Sequence, residues 1–436
     1  MTEYTMENPA QSIESVRNRQ LDLITRTFWE EFDYLDPHII GLDNYKKRSS
    51  VLVLYAGNNG TSGELMISAT RNDLEHNHIK KFVDLILEVV HKYNYKTVIF
   101  DRATEALNDH VIKNLDYISK RVLEHYPDLC MICTSGTINS KDYQDNCPGV
   151  HLVGTASFLR HQIGNQNAEF KNIQYEIRSR PRVFLNLNRV AKIPRLYALA
   201  ELIKQGLLPH SLTSFCFTDD NGAPLQEYSK IVNDNIFDCV LHGQIECGGI
   251  PKERRIEIMT YITDVVNEHI FSKGLHKSNM VIDRPDVFSR NPAFIEYQEH
   301  PMFNDTWFSL VNETHTNIFF GSQELKNGVF ISEKSAKVLA HKHPFFIFST
   351  HGHLRELRNL GFQTFSDIWD ESYDLIVDPL ERYDAILKEI DRLCGLNHSD
   401  WVEMHKKLEP IVNHNHNLFF NQSFKMVNID KPIILP

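Results

Sequence analysis

Hydrophobic positions in this chain fall into two alternating patterns. Short apolar runs at residues 51–55, 97–100, 129–133 and 151–153 predict strands. Between them, 78–93 and 111–125 carry apolar residues at helical spacing, as in Phe82, Leu85, Ile86, Val89 and Val90. A second series begins with a strand at 183–187 and a helix opened by Pro194, striped by Leu196, Leu199, Ala200, Leu202 and Ile203, and closed by Gly206. A strand at 212–217, a mainly helical stretch at 227–275 and a strand at 307–311 come next. At 329–350, a short amphipathic helix opens after Ser332, breaks at Pro344 and feeds a buried apolar strand at 345–348. Helices are expected at 354–360, 379–393 and 400–420, and near the start at 13–32.

Strand and helix alternating in this way imply parallel sheets with helices on both faces. The expected organisation is a leader with one helix (1–45), an α/β domain (46–165), a polar linker (166–180), a second α/β domain (181–396) and a helical tail packing back on the domains (397–436). The fold class is α/β, with two Rossmann-like, doubly wound domains facing across a cleft. Such a cleft is the default ligand site.

Composition narrows the function. Hydrophobic residues make up 42% and charged residues 24%, as in an ordinary globular protein. Lys plus Arg number 46 against 57 Asp plus Glu, a net charge of −11, which argues against broad non-specific binding of duplex DNA. No apolar run approaches the ~20 residues that span a bilayer. No secretory signal is visible, and seven cysteines do not read as a disulfide framework, so the expected location is cytoplasmic.

Candidate chemistry lies at the helix openings of the second domain. Arg189 and Arg195 follow its first strand, with Arg195 on the first helical turn, where a guanidinium and the helix dipole would converge on an anion. Both also read as surface arginines. Glu333 and Lys334 open the helix after Ser332: lysine meets a phosphate as a point charge, and a carboxylate accepts hydrogen bonds from a ribose or sugar diol. A capped helix, with Ser332 as N-cap and Glu333 favoured by the dipole, is the alternative.

The run Val329-Phe-Ile-Ser-Glu-Lys-Ser-Ala-Lys-Val-Leu-Ala-His-Lys-His-Pro-Phe resembles the Thr-Glu-Lys segment of GT-B glycosyltransferases, and of the α-1,3-fucosyltransferase family in particular. The resemblance extends to Asn188 through Leu196, where a strand, a loop and an arginine at a helix start match that family's nucleotide-binding arginine. A closer resemblance is to uncharacterised proteins of large viruses, phages and some bacteria, through Val311-Asn-Glu-Thr314, Ser332-Glu-Lys-Ser335, Pro344-Phe345, residues 354–365 and Trp369-Asp-Glu-Ser-Tyr-Asp374. Ser335 stands where threonine is usual. These matches cover about half the chain.

The resemblance implies a glycosyltransferase that takes a nucleotide-sugar as co-substrate without a metal or other cofactor. It transfers donor contacts to Arg195, Glu333 and Lys334, with Arg189 a second phosphate contact; by their positions alone, Ser332, Glu313, His351, His353 and the Asp370-Glu371 pair are further donor-site candidates. The acceptor would be a glycan, a protein or a modified nucleobase, in the host cytoplasm if the protein is viral. An inverting reaction needs a carboxylate to deprotonate the acceptor hydroxyl, and Asp101, Glu105 and Glu64 are the first-domain candidates.

The 22 histidines supply the competing signal. His-x-His occurs at His76/His78, His341/His343, His351/His353 and His414/His416, a spacing that puts both rings on one face of a strand. That pattern allows a metal-assisted hydrolase, and a non-catalytic nucleotide- or sugar-binding protein is a third reading. His341/His343 is instead expected at a helix end, where protonated histidine favours the dipole. Cys130 and Cys133 fall inside an apolar run and read as a buried core pair.

Overall fold

The computed structural model describes residues 51–55, 77–102, 107, 109–156, 159, 170, 172–188, 193–215, 252–273, 300–313, 316, 328–421 and 427–428. The helix expected at 13–32 and the part of the helical stretch before residue 252 lie outside them. The chain divides into two compact units, Met1–Ser157 with Val427–Pro436, and Phe158–Met426. Both are α/β with parallel strands.

In the first unit, β1 (Val51–Tyr55), α1 (Asn77–Tyr93), β2 (Thr97–Arg102), α2 (Asp109–His125), β3 (Cys130–Ser135) and β4 (His151–Thr155) alternate as the hydrophobic pattern predicts. The four strands are parallel in the order β1-β2-β3-β4, and the last strand, at Val427–Asn428, pairs antiparallel with β4. Consecutive residues Val98, Ile99 and Phe100 are all buried, so both faces of β2 are covered, as an unbroken apolar run requires. Gly154 on β4 is demanded by close approach: a Cβ there would lie 1.9 Å from the Ile138 carbonyl oxygen.

The second unit contains β5 (Arg182–Asn188), α3 (Ile193–Lys204), β6 (Ser211–Phe215), α4 (Lys252–Val266), α5 (His300–Asn304), β7 (Thr306–Asn312), α6 (Glu333–Ala340), β8 (Phe345–Phe348), α7 (His353–Leu360), α8 (Pro379–Cys394) and α9 (His398–Phe420). Its described strands are parallel in the order β6-β5-β7-β8. Chain growth runs from β5 outward to β6, then returns past β5 to place β7 and β8 on the other side. The direction of winding therefore reverses between β5 and β7, the position at which open α/β sheets place ligands, beyond the carboxyl ends of the strands. The described strands of the first sheet show no such reversal.

The core of the second unit is aromatic. Phe308 on β7 stacks on Phe184 of β5 and meets Phe346 of β8 edge-on, and Trp369 stacks on Phe346. Trp307, on the preceding position of β7, stacks against Trp401 of α9 at 5.3 Å, which fixes the tail helix to this unit. Tyr383 of α8 donates to the Ala198 carbonyl of α3.

The segment expected to be a polar linker, 166–180, is part of this packing at its described residues, 170 and 172–180, with Phe170 buried against His341 and Phe420. Tyr175 stacks on His405 and hydrogen-bonds its ring, and buried Arg180 donates to the Phe303, Thr306 and Glu176 carbonyls beneath Trp307. Amphipathic side chains account for the difference: Tyr and Arg count as polar in sequence, yet they bury their bodies when the polar tip finds a partner.

Candidate functional site

The carboxyl ends of β5 and β7 carry three buried asparagines. Asn186 and Asn188 share a face of β5 because they are two residues apart, and Asn312 is the last residue of β7. Asn312 Nδ2 donates to Asn186 Oδ1 at 2.8 Å and to Asn188 Oδ1 at 3.2 Å, and Asn188 Nδ2 donates to Asn186 Oδ1 at 2.8 Å. The triad ties the two strands together at the winding reversal. Asn312 Oδ1 has no partner among the described residues.

Glu313 follows directly and is 1% exposed. Its Oε1 accepts from the Ser332 backbone N–H at 3.2 Å and from Ser335 Oγ at 2.5 Å, and its Oε2 accepts from Ser332 Oγ at 2.5 Å. Burial pushes this carboxyl up, but Lys334 above all, then the field of His353 and the two serine hydroxyls, outweigh it and hold Glu313 below the ordinary carboxylate value. Glu313 is thus an ionised group locked into the opening of α6. Both of its oxygens are engaged by Ser332 and Ser335, so within this chain Glu313 positions the turn.

Ser332 is the N-cap of α6, as expected, its Oγ accepting from the Lys334 N–H at 3.2 Å. It is 0% exposed, and its hydroxyl, bonded to Glu313 and Lys334, shapes the turn. Glu333 and Lys334 stand at the surface of that turn, with side chains 23% and 17% exposed, and the Lys334 ammonium bonds Glu333 Oε1 at 2.5 Å and Ser332 Oγ at 3.2 Å.

Arg195 occupies the first turn of α3, immediately after Pro194, and is 5% exposed. Burial lowers its guanidinium from the ordinary arginine value, while Glu333 first and Glu313 second support the charge. The structure therefore brings Arg195, Glu313, Ser332, Glu333 and Lys334 into one electrostatic neighbourhood at the carboxyl edge of the second sheet. Two helix openings, after β5 and after β7, each present a cation there. What this arrangement offers chemically is a seat for an anion, with a carboxylate beside it able to accept hydroxyls.

The other expected residues divide. His353 begins α7 but is 1% exposed, bonded through Nδ1 to Ser349 Oγ at 2.8 Å, and burial lowers its pKa, so it is neutral at neutral pH. The opening of α7 is occupied by Asp374, whose carboxylate accepts the Leu354 and Arg355 N–H groups at 3.0 and 3.1 Å. His351 is half-buried. Asp370 Oδ1 accepts from the Ser372 N–H at 2.8 Å, and buried Glu371 accepts from the Phe365 N–H at 2.7 Å and from Arg358 Nη1 at 3.3 Å, so that pair stabilises a loop. Asp101 lies near the carboxyl end of β2. Arg189, Glu64 and Glu105 lie outside the described residues.

The pair His341/His343 is buried rather than a charged helix end. His343 is linked to Ser309 Oγ at 2.8 Å and to the Thr306 carbonyl at 2.9 Å, and burial lowers its pKa to about 3. His341 stacks on Phe303 at 4.0 Å and is held well below the ordinary histidine value, first by burial and then by His300. A neutral ring buried in an aromatic cluster gains more from packing than a charged ring gains from a helix dipole. Among the described residues, no three His, Cys, Asp or Glu side chains converge as metal ligands. Cys133 is buried and Cys130 partly so, both as free thiols.

Sequence pattern did not single out the asparagine triad, Ser335 as a hydroxyl donor to Glu313, or Asp374 as the remote cap of α7. The Leu-Asn-Leu-Asn alternation at 185–188 was the available signal for the first, because it puts two carboxamides on one face of a strand that is otherwise apolar. No protein-family model matches the chain, and no curated protein matches it.

Proposed function

We propose that the chain is a glycosyltransferase of GT-B type, whose second unit binds the diphosphate of a nucleotide-sugar and whose sugar is passed to an acceptor hydroxyl. The observation that carries this reading is the pair of cationic helix openings at the winding reversal. Arg195 on α3 and Lys334 on α6 flank the carboxyl ends of β5 and β7, with Glu333 beside them. On this reading Arg195, Lys334 and the helix dipoles meet the phosphate charge that a metal would otherwise carry, and Glu333 accepts a ribose hydroxyl. Glu313 and Ser332 hold the α6 turn in register. The acceptor-activating carboxylate is assigned to the first unit, with Asp101 the candidate at the end of β2.

Two parallel-sheet α/β units are the parts that a GT-B enzyme of doubly wound domains requires. The test is a thermal-shift and calorimetric screen of UDP-, GDP-, ADP-, CMP- and dTDP-linked sugars, with and without a chelator. The expected result is a shift with one donor that the chelator leaves unchanged. Lys334→Ala and Arg195→Ala are expected to weaken that donor by about 1.5–3 kcal/mol each, the loss of a charged hydrogen bond. A shift that requires a divalent metal, or unchanged affinity in both variants, refutes the donor-site assignment.

A further inference from the structure

Leu375 and Val377 are 75% and 56% exposed, and they are the exposed large hydrophobic side chains among the described residues. Both belong to the loop joining the turn Ser372–Leu375 to α8. Two residues apart on one loop, they make a small apolar surface where the other described large apolar side chains are covered at least in part.

The loop is fixed at both ends. Just before it, Asp374 caps α7 through the Leu354 and Arg355 N–H groups and accepts the Gly352 N–H on its carbonyl at 2.8 Å. Behind it, fully buried Arg382 donates to the Ile376 and Val377 carbonyls at 2.6 and 3.2 Å, and to the Thr316 carbonyl at 3.2 Å. Thr316 lies three residues beyond Glu313, on the segment leaving β7. His353 sits in the field of both Glu313 and Asp374. These links place Leu375 and Val377 at the same carboxyl edge as the charged cluster, one and three residues past Asp374, which caps the opening of α7.

We infer that Leu375 and Val377 form an apolar shelf for the flat face of a nucleobase, whose diphosphate is held by Lys334 and Arg195. The inference rests on the donor reading above and adds the base subsite to it. Three features fit a ring face. The side chains are aliphatic and two residues apart on one loop, the loop is pinned from beneath so that little ordering entropy is lost on binding, and the site of opposite chemistry, charged and hydrogen-bonding, lies along the same edge.

The experiment is isothermal titration of ADP, GDP, UDP and inorganic pyrophosphate into the wild-type chain, Leu375→Ser/Val377→Ser and Lys334→Ala. Exposed positions tolerate serine, and circular dichroism melts of the double variant check that they do. The double variant is expected to bind the preferred nucleoside diphosphate about tenfold more weakly, the effect of uncovering part of two aliphatic side chains, with pyrophosphate unchanged. Lys334→Ala is expected to weaken both. Unchanged nucleotide affinity in the double variant overturns the shelf alone, and so does an equal loss for pyrophosphate. Loss of self-association in sedimentation, without a change in nucleotide affinity, also overturns it by assigning the patch to a second copy of the chain. If the wild type binds none of the nucleoside diphosphates, the donor reading falls and the shelf with it.

Discussion

Replacing Glu313 by glutamine isolates one charge at the centre of the candidate site. The carboxylate accepts three hydrogen bonds, from the Ser332 N–H, Ser332 Oγ and Ser335 Oγ, and is 1% exposed. Glutamine keeps the shape. Its oxygen, placed at Oε1, still accepts from the Ser332 N–H and Ser335, but its amide then faces Ser332 Oγ, which loses the acceptor it donated to. One charged hydrogen bond is lost and Lys334 loses its buried counter-charge, so the variant should be less stable by about 2 kcal/mol at neutral pH. Alanine removes all three bonds and leaves buried donors, with a cost of about 3–5 kcal/mol.

The sign of the pH dependence follows from the depressed carboxyl. A carboxylate with a folded pKa below its unfolded value stabilises fully above the unfolded value, near ~4.3, and loses that contribution as pH falls through the folded one. The gap between wild type and Glu313→Gln should be constant from pH 6 to 8, in order of magnitude, and narrow in acid as wild-type Glu313 itself takes up a proton. Urea titration followed by tryptophan fluorescence reads the second unit, which buries Trp307, Trp369 and Trp401. Equal stability at neutral pH, or a gap that does not close in acid, refutes the account of Glu313 as a buried, ionised anchor.

Two other perturbations test the packing around the site. His343 is neutral when folded, with a pKa lowered to about 3 by burial, so the unfolded chain binds the extra proton and stability falls as pH drops from the unfolded value toward the folded one. At pH 5 that loss is about 2 kcal/mol for this residue against an unfolded value of ~6.5, and His343→Gln should flatten the decline in urea midpoints between pH 7 and 5; an unchanged slope contradicts it. Gly154→Ala drives a methyl to within 1.9 Å of the Ile138 carbonyl oxygen and 2.7 Å of the Thr137 carbonyl oxygen, both backbone atoms that cannot rotate aside. It should cost about 3 kcal/mol or more and lower the melting temperature of the first unit, and a wild-type melt shows the approach to be looser than described.

Much of the fold was legible because period and punctuation agreed. The apolar run at 345–348 after Pro344, the Pro194-to-Gly206 helix and the Ser332 cap became β8, α3 and α6 with ends shifted by a residue or two. The expected helical tail at 400–420 became α9 despite Pro410, which sits within its 23 residues. The inward turn of Glu313 and His353 was not legible, since whether a polar side chain faces ligand or core depends on partners distant in sequence: Ser332 and Ser335 lie 19 and 22 residues from Glu313. Strand order was likewise hidden. Alternation predicts parallel strands, but the return of the chain past β5 to β7, where the candidate site is placed, is a long-range fact.

That return gives the two cations their significance. Helix dipoles favour anions at amino ends, by about 0.3–1 kcal/mol per charge at exposed positions, and α8 and α9 follow the rule with Asp378 and with the Asn397–Asp400 capping box. α4 breaks it with Arg254, but that side chain is 59% exposed and paired with Glu257, so water and the pair relieve the conflict. Arg195 and Lys334 break it where water is largely excluded. Their charge is matched by two carboxylates that are not equivalent: Glu313 is locked by three hydrogen bonds, whereas Glu333 is partly exposed and its carboxylate is bonded by the Lys334 ammonium. On the proposed reading, an incoming anion competes with Glu333 and leaves Glu313 in place. On the proposed reading, a diphosphate takes Lys334 from Glu333, and the carboxylate so released is free to accept a ribose hydroxyl. One exchange thereby couples phosphate binding to sugar recognition, and the local conflict with the dipole is resolved by the ligand.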